Sequence, residues 1–377
     1  MKTRKVAGQQ SWILNSDCAE AAVTELGGHL GPVTFAVGER KIRPFNVAPW
    51  AVETSAKNLQ PILRSLRGDF FCMPFGGNAA SWRGEQHPLH GETANANWQF
   101  LSADSNDDMV ELKLSCVTTI RPAQVEKLIR LRKGESAVYS RHVIGGGSGP
   151  MNFGHHAMLK FPSKEGSGTI STSPIVFGQV YPGSFENPVL GGYSSLKSGA
   201  EFSALNRVPL AAAGHADLTH FPAREGFEDL VMISSDPNTD FAWTAVTFQE
   251  DGFVWFALKD PRVLASTVLW HSNGGRHYPP WNGRHRYVLG LEEVTSYFHD
   301  GLAESVRKNS LNSKGIPTFR KLTPKQPLVV NLIMAVAAVP KRFGQVTQIV
   351  PEPGCVILHG AGKLHIRVPL DPDFLYR

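Results

Sequence analysis

The chain has 377 residues, of which 42% are hydrophobic and 19% charged, with 38 Lys and Arg against 33 Asp and Glu for a net charge of +5. That is enough apolar material for a large core and too little charge for disorder. Gly (36) and Pro (26) are spread along the whole chain, which excludes a helical repeat, a coiled coil and a collagen-like chain and indicates many turns between short elements.

No stretch of about 18 apolar residues occurs, so no helix is expected to span a membrane. The start Met1-Lys-Thr-Arg-Lys-Val runs into Gln9, Gln10 and Ser11 before an apolar segment could form, unlike a signal peptide. Cys18, Cys72, Cys116 and Cys355 are far apart in the chain, with no CxxC pair. They read as buried free thiols of a cytoplasmic protein. The densest basic run, Lys127-Leu-Ile-Arg130-Leu-Arg132-Lys133, alternates with apolar residues. On a strand this puts the charges on one solvated face, so a nucleic-acid surface is not expected.

In chain order, residues 20–26, 109–117, 125–131 and 137–144 alternate or are β-branched and predict strands. Residues 241–248 and 252–258 are aromatic-rich and flank the turn 249–252, predicting a hairpin. Strands are also predicted at 286–292, 328–336 and 355–359. Helix signals are limited to 58–67 and to 300–310, where Asp300 is a candidate N-cap. No linker or fixed-period repeat interrupts the chain. The expectation is a single all-β domain over residues 1–377.

Three polar clusters interrupt the apolar strands. The first, Pro74-Phe-Gly-Gly-Asn78 followed by His87-Pro-Leu-His90-Gly-Glu92 and Trp98, is a Gly-rich loop able to line a polar pocket. The second is Asn152-Phe-Gly-His155-His156-Ala-Met-Leu-Lys160. Adjacent strand residues face opposite ways, so only one of the two histidines can enter a given site. The third is Trp281 to Thr295. There Glu292 ends an apolar run and is costly unless paired or facing a cleft, while Glu293 faces the other way into solvent. Trp98, Trp270 and Trp281 could supply a flat platform for the C–H face of a sugar ring. Gly145–Gly149 follows a strand without a helix after it and reads as a hairpin, not a dinucleotide loop. His87, His90 and Glu92 match no common zinc spacing, so no metal or other cofactor is expected.

In order and type, these clusters resemble the galactose mutarotase-like (aldose 1-epimerase-like) superfamily. The segments are Val23–Phe35, Arg67–Asn78, Leu89-His90-Gly91 with Trp98, Gly154–Phe161 and Gly290–Thr295. The resemblance implies a β-supersandwich of two large antiparallel sheets with few short helices. It also implies sugar contacts from Asn78, His90 and Trp98, with His155 beside the strand histidine. By the same resemblance His156 is the general acid and Glu292 the general base of an isomerase of carbohydrate metabolism that interconverts sugar anomers. In that role Glu292 would start as a carboxylate and His156 as an imidazolium. The partner would be a small-molecule aldose or derivative, with no nucleic acid or membrane involved. Two alternatives remain open: a non-catalytic carbohydrate-recognition protein, and a polysaccharide lyase or glycoside hydrolase pairing Asp69 or Glu92 with Glu292.

Overall fold

The computed structural model describes residues 2–377, with 48% of the chain in strands and 9% in helix. Two large sheets dominate. One has nine strands, in the order 220–221, 168–172, 242–248, 253–259, 328–338, 137–145, 123–132, 109–118 and 99–105. The other has eight, in the order 201–202, 175–180, 228–235, 266–272, 288–295, 153–155 and 71–72, with 157–160 also paired to 288–295. Pairings within both sheets are antiparallel. An N-terminal meander over residues 4–42 packs beside them.

The alternation of each strand sorts its residues between cores. Leu289 and Leu291 join Val231, Val246 and Trp255 in the core between the two large sheets. Val288 and Val294 instead join Trp50, Leu230, Trp270 and Trp281 on the outer face of the eight-stranded sheet. The outer face of the nine-stranded sheet carries Tyr139, Phe256 and Ile333, and it is covered by Val356 and Leu358 of a three-stranded C-terminal meander and by Phe374. Asn331 locks this cover by donating to the Phe374 and Leu375 carbonyls at 2.9 and 3.2 Å.

The predicted strands and the 249–252 turn are present, the strand expected at 286–292 lying at Val288–Thr295. Four details differ from expectation. Lys127 shares its parity with Val125, Ile129 and Leu131 and so points inward; it is buried, its ammonium donates to the Gly28 carbonyl at 2.5 Å, and burial pulls its pKa down to about 8. The 145–149 turn joins strands with different partners, 137–145 in the nine-stranded sheet and 149–151 against 320–322, so it is no hairpin. The second helix is Leu302–Val306 with Gly301 at its N-cap, and Asp300 instead accepts from the Tyr181 hydroxyl at 2.6 Å. Cys72, Cys116 and Cys355 are buried free thiols, whereas Cys18 is half-exposed. Among the described residues no helix is long and apolar enough to cross a membrane.

Candidate active site

The strand 288–295 positions the site through register. Gly154 pairs with Val294 and Ala157 with Leu291 in one continuous register, which sets His156 opposite Glu292 and His155 opposite Glu293. Side chains directly opposite on one face of an antiparallel pair are close neighbours. On the outer face, His156 Nε2 lies 3.4 Å from Glu292 Oε1. Phe70 stacks on the His156 ring at 4.6 Å, and the backbone N–H of His156 donates to the Phe70 carbonyl at 2.9 Å.

Gly290 makes room for the carboxylate. A Cβ there would lie 2.6 Å from Glu292 Oε1 and 3.0 Å from the Trp270 Cβ. His90 arrives from a loop whose backbone turns left-handed at His90 (φ 57°) and Gly91 (φ 76°). A β-carbon at Gly91 would run into the Met73 carbonyl, so glycine lets the loop close down on Met73-Pro74. The left-handed backbone of a histidine is an uncommon, strained choice of the kind found at functional sites. Gly76 N–H donates to His90 Nδ1 at 3.3 Å, which leaves the ring proton on Nε2. The His90 ring stands edge-on to His156 at 4.9 Å.

These three residues share a cavity of about 110 Å³ with Trp270, Trp281, Arg276, His299 and Phe185, among others. Trp270 is fixed by a hydrogen bond from Nε1 to Glu228 at 2.8 Å and by His285 stacked on it at 5.3 Å. Trp281 stands edge-on to Trp270 at 5.9 Å. Arg276 sits 4.6 Å from the Trp281 ring and 5.1 Å from that of Trp270, held by Glu186 at 2.6 Å.

Burial dominates the electrostatics. It pushes the Glu292 carboxyl well above its usual range, the nearby Arg276 opposing this in part. It pushes the His156 imidazole down to about 4, His90 well below its usual value and Glu228 up to about 7. Both shifts run against the expected resting forms: burial favours the protonated form of Glu292 and the neutral form of His156.

The remaining sequence candidates lie elsewhere. Asn78 is buried beneath the loop, donating to the Gly76 and Pro88 carbonyls at 3.0 Å and accepting from the Leu302 N–H at 3.1 Å, so it caps the second helix and does not line the cavity. Trp98 packs in the core between the sheets, donating to the Thr93 carbonyl at 2.9 Å. His155 faces inward, with Nδ1 2.8 Å from Asp69 Oδ2. Glu293 is buried rather than solvated, 2.5 Å from Lys259 and hydrogen-bonded by Thr244 and Thr267. Glu92 accepts from the Thr119 and Ile120 backbone N–H groups, His87 pairs with Glu85, and neither Asp69 nor Glu92 lines the cavity to pair with Glu292. Arg276, His299, Phe185 and Glu228 were not anticipated. Arg276 had a signal, as the sole cation in Gly274-Gly275-Arg276-His277-Tyr278 between the two site tryptophans; Phe185 lies in a loop without pattern.

No family model matches the chain, and no curated protein matches it. Solved structures do. A protein from Synechocystis sp. PCC 6803 superposes with a TM-score of 0.58 at 14% identity, covering 90% of this chain and 100% of that one. A candidate aldose 1-epimerase from Escherichia coli K12 gives 0.58 at 12% identity, over 88% of this chain and 100% of that one. A galactose mutarotase related enzyme from Lactobacillus acidophilus gives 0.55 at 11% identity, over 88% and 98%. At such identities the likeness is one of fold. The resemblance read from the ordered clusters is therefore borne out as architecture: the chain has the galactose mutarotase-like fold.

Proposed function

We propose that the protein is an aldose 1-epimerase-like isomerase that interconverts the anomers of a small cyclic sugar by general acid–base catalysis. The observation that carries this reading is the opposed pair His156 and Glu292, 3.4 Å apart on the floor of a cavity walled by two tryptophans. Ring opening needs an acceptor for the anomeric hydroxyl proton and a donor to the ring oxygen, both within hydrogen-bond reach. A pair that holds one proton between two sites offers one donor and one acceptor at once. With the proton on Glu292, the carboxyl protonates the ring oxygen as the C1–O5 bond breaks. His156 Nε2 accepts the proton from the C1 hydroxyl as the carbonyl forms. Rotation about C1–C2 followed by reclosure on the other face runs the transfers in reverse, which restores the pair without any added group. His90 donates Nε2–H to a ring hydroxyl in a cavity bounded by Trp270 and Trp281, whose rings are themselves engaged by His285 and Arg276.

The experiment follows optical rotation of freshly dissolved anomers, with binding measured in parallel. Each acid–base contribution is worth about 10²–10⁴-fold. Glu292→Gln and His156→Asn are each expected to lose that much acceleration while retaining binding. Binding without acceleration by the unaltered protein would leave a carbohydrate-recognition protein; undiminished acceleration in Glu292→Gln would refute the assignment of the pair.

A further inference from the structure

The walls of this cavity are unusual for a ligand covered in hydroxyls. Ile62 and Leu63 of the helix Pro61–Ser65, with Leu66 just after it, line one part; Leu89 and Leu230 line others, and Phe70 lies behind His156. None of these side chains can hydrogen-bond. The polar groups are few, and several are already engaged. His90 spends Nδ1 on Gly76. Arg276 spends Nε on Glu186 and lays its guanidinium against Trp270, Trp281 and Phe185. Glu292 and His156 are assigned to the ring oxygen and the anomeric hydroxyl. A fully hydroxylated aldohexose brings further hydroxyls at C2, C3, C4 and C6, and the groups left to receive them, His90, Arg276, His299 and the Trp281 indole N–H, leave the leucine-lined wall without a partner to offer. A hydroxyl pressed against leucine gives up its bonds to water without replacement, which is costly.

Resting on the anomerase reading above, we propose that the substrate is a hydroxyl-poor sugar, a deoxy or dideoxy aldose whose bare ring and methyl positions lie against Leu63, Leu66, Leu89 and Leu230. The hemiacetal end meets His156 and Glu292, and the hydrocarbon end meets the aliphatic wall. The same wall disfavours glucose and galactose.

The test is a series of one configuration: D-glucose, 6-deoxy-D-glucose and 2,6-dideoxy-D-glucose. Anomer exchange is measured by NMR as kcat/KM over the uncatalysed rate. Binding of the corresponding methyl glycosides, which cannot open, is read from tryptophan fluorescence. Each hydroxyl removed from the buried face should raise kcat/KM about tenfold, since an unpaired buried hydroxyl costs on that order, and the glycosides should bind in the same order. Leu230→Gln, which adds a hydrogen-bonding amide to the wall, should narrow the preference. Turnover fastest with glucose would overturn the substrate class and leave the catalytic reading standing. Tighter binding of the dideoxy glycoside without acceleration of any sugar would support the substrate class and overturn the catalytic reading. Neither binding nor acceleration anywhere in the series would overturn both.

Discussion

The two faces of one sheet carry the same residue types to different ends. His155-His156 lies opposite Glu292-Glu293, and the pleat divides them into an inner pair and an outer pair. On the inner face Glu293 is saturated by Lys259, Thr244 and Thr267, whereas His155 bonds Asp69 through Nδ1 alone, leaving its Nε2 and Asp69 Oδ1 without partners. On the outer face Glu292 and His156 have mainly each other, and His156 Nδ1 has no partner. A buried charge that is fully bonded holds structure; one left short of partners beside a cavity can bond a ligand and exchange a proton with it. Between the two glutamates the distinction lies in how completely each is satisfied; between the histidines it lies in which one borders the cavity.

The largest effect that would break this comparison is on the inner face. Lys259→Met strands the Glu293 carboxylate and is expected to cost about 3–5 kcal/mol in chemical denaturation. Lys259→Met combined with Glu293→Leu should recover most of that. Catalysis per folded molecule should be unchanged in both, and a specific loss of turnover in the double variant would mean that the inner face takes part in the chemistry.

A second test of the core, at a histidine of the facing nine-stranded sheet, uses pH. His142 is buried against Phe71 with neither ring nitrogen bonded, and burial holds its pKa well below the ordinary value. The unfolded chain then binds the proton first, so stability is lost as pH falls below about 6.5. His142→Phe should remove this liability: its benefit at pH 5 should exceed its benefit at pH 8 by about 2 kcal/mol. Equal effects at the two pH values would show that His142 titrates normally in the folded protein.

Smaller effects sharpen the outer face. Gly290→Ala places a methyl against Glu292 Oε1 and is expected to lower kcat roughly tenfold by turning the carboxyl away from His156, as a misplaced group does. The overpacking against Trp270 should also cost about 1–3 kcal/mol of stability, so kcat is compared per folded molecule; unchanged kcat would mean the notch does not set the carboxyl. The smallest is Asn78→Ala, which removes the cap on Leu302 and should cost about 1 kcal/mol. Sugar affinity is expected to stay as it is, whereas a selective loss of affinity would return Asn78 to the site.

The division between faces was partly legible in the sequence. Parity alone separates Glu292 from Glu293 and His156 from His155, and ordered clusters bring His90, His156 and Glu292 to one cavity. Parity also marks Lys127 as inward, since Val125, Ile129 and Leu131 share its side, but a lysine between arginines reads as surface until its partners, Gly28 and the Trp98 ring, are seen. Those partners are about 30 to 100 residues away in the chain, and no local pattern encodes them. The same holds for Asn78, whose amide serves a helix more than 200 residues later, and for Arg276, whose orientation depends on Glu186 in a distant loop. Periodicity reports which face a residue takes; it does not report what waits on that face.

The C-terminal meander has a consequence for synthesis. Tyr139, Phe256 and Ile333 on the outside of the nine-stranded sheet find cover only in segments such as 355–360 and 372–376. A ribosome that has delivered every strand of that sheet therefore still holds back its lid. Throughout that interval the nascent chain displays an aromatic, sticky plane to its surroundings, the kind of transient surface that chaperones recognise and neighbouring chains adhere to. The codons for those covering segments thus set how long the growing chain stays vulnerable, although they encode none of the cavity.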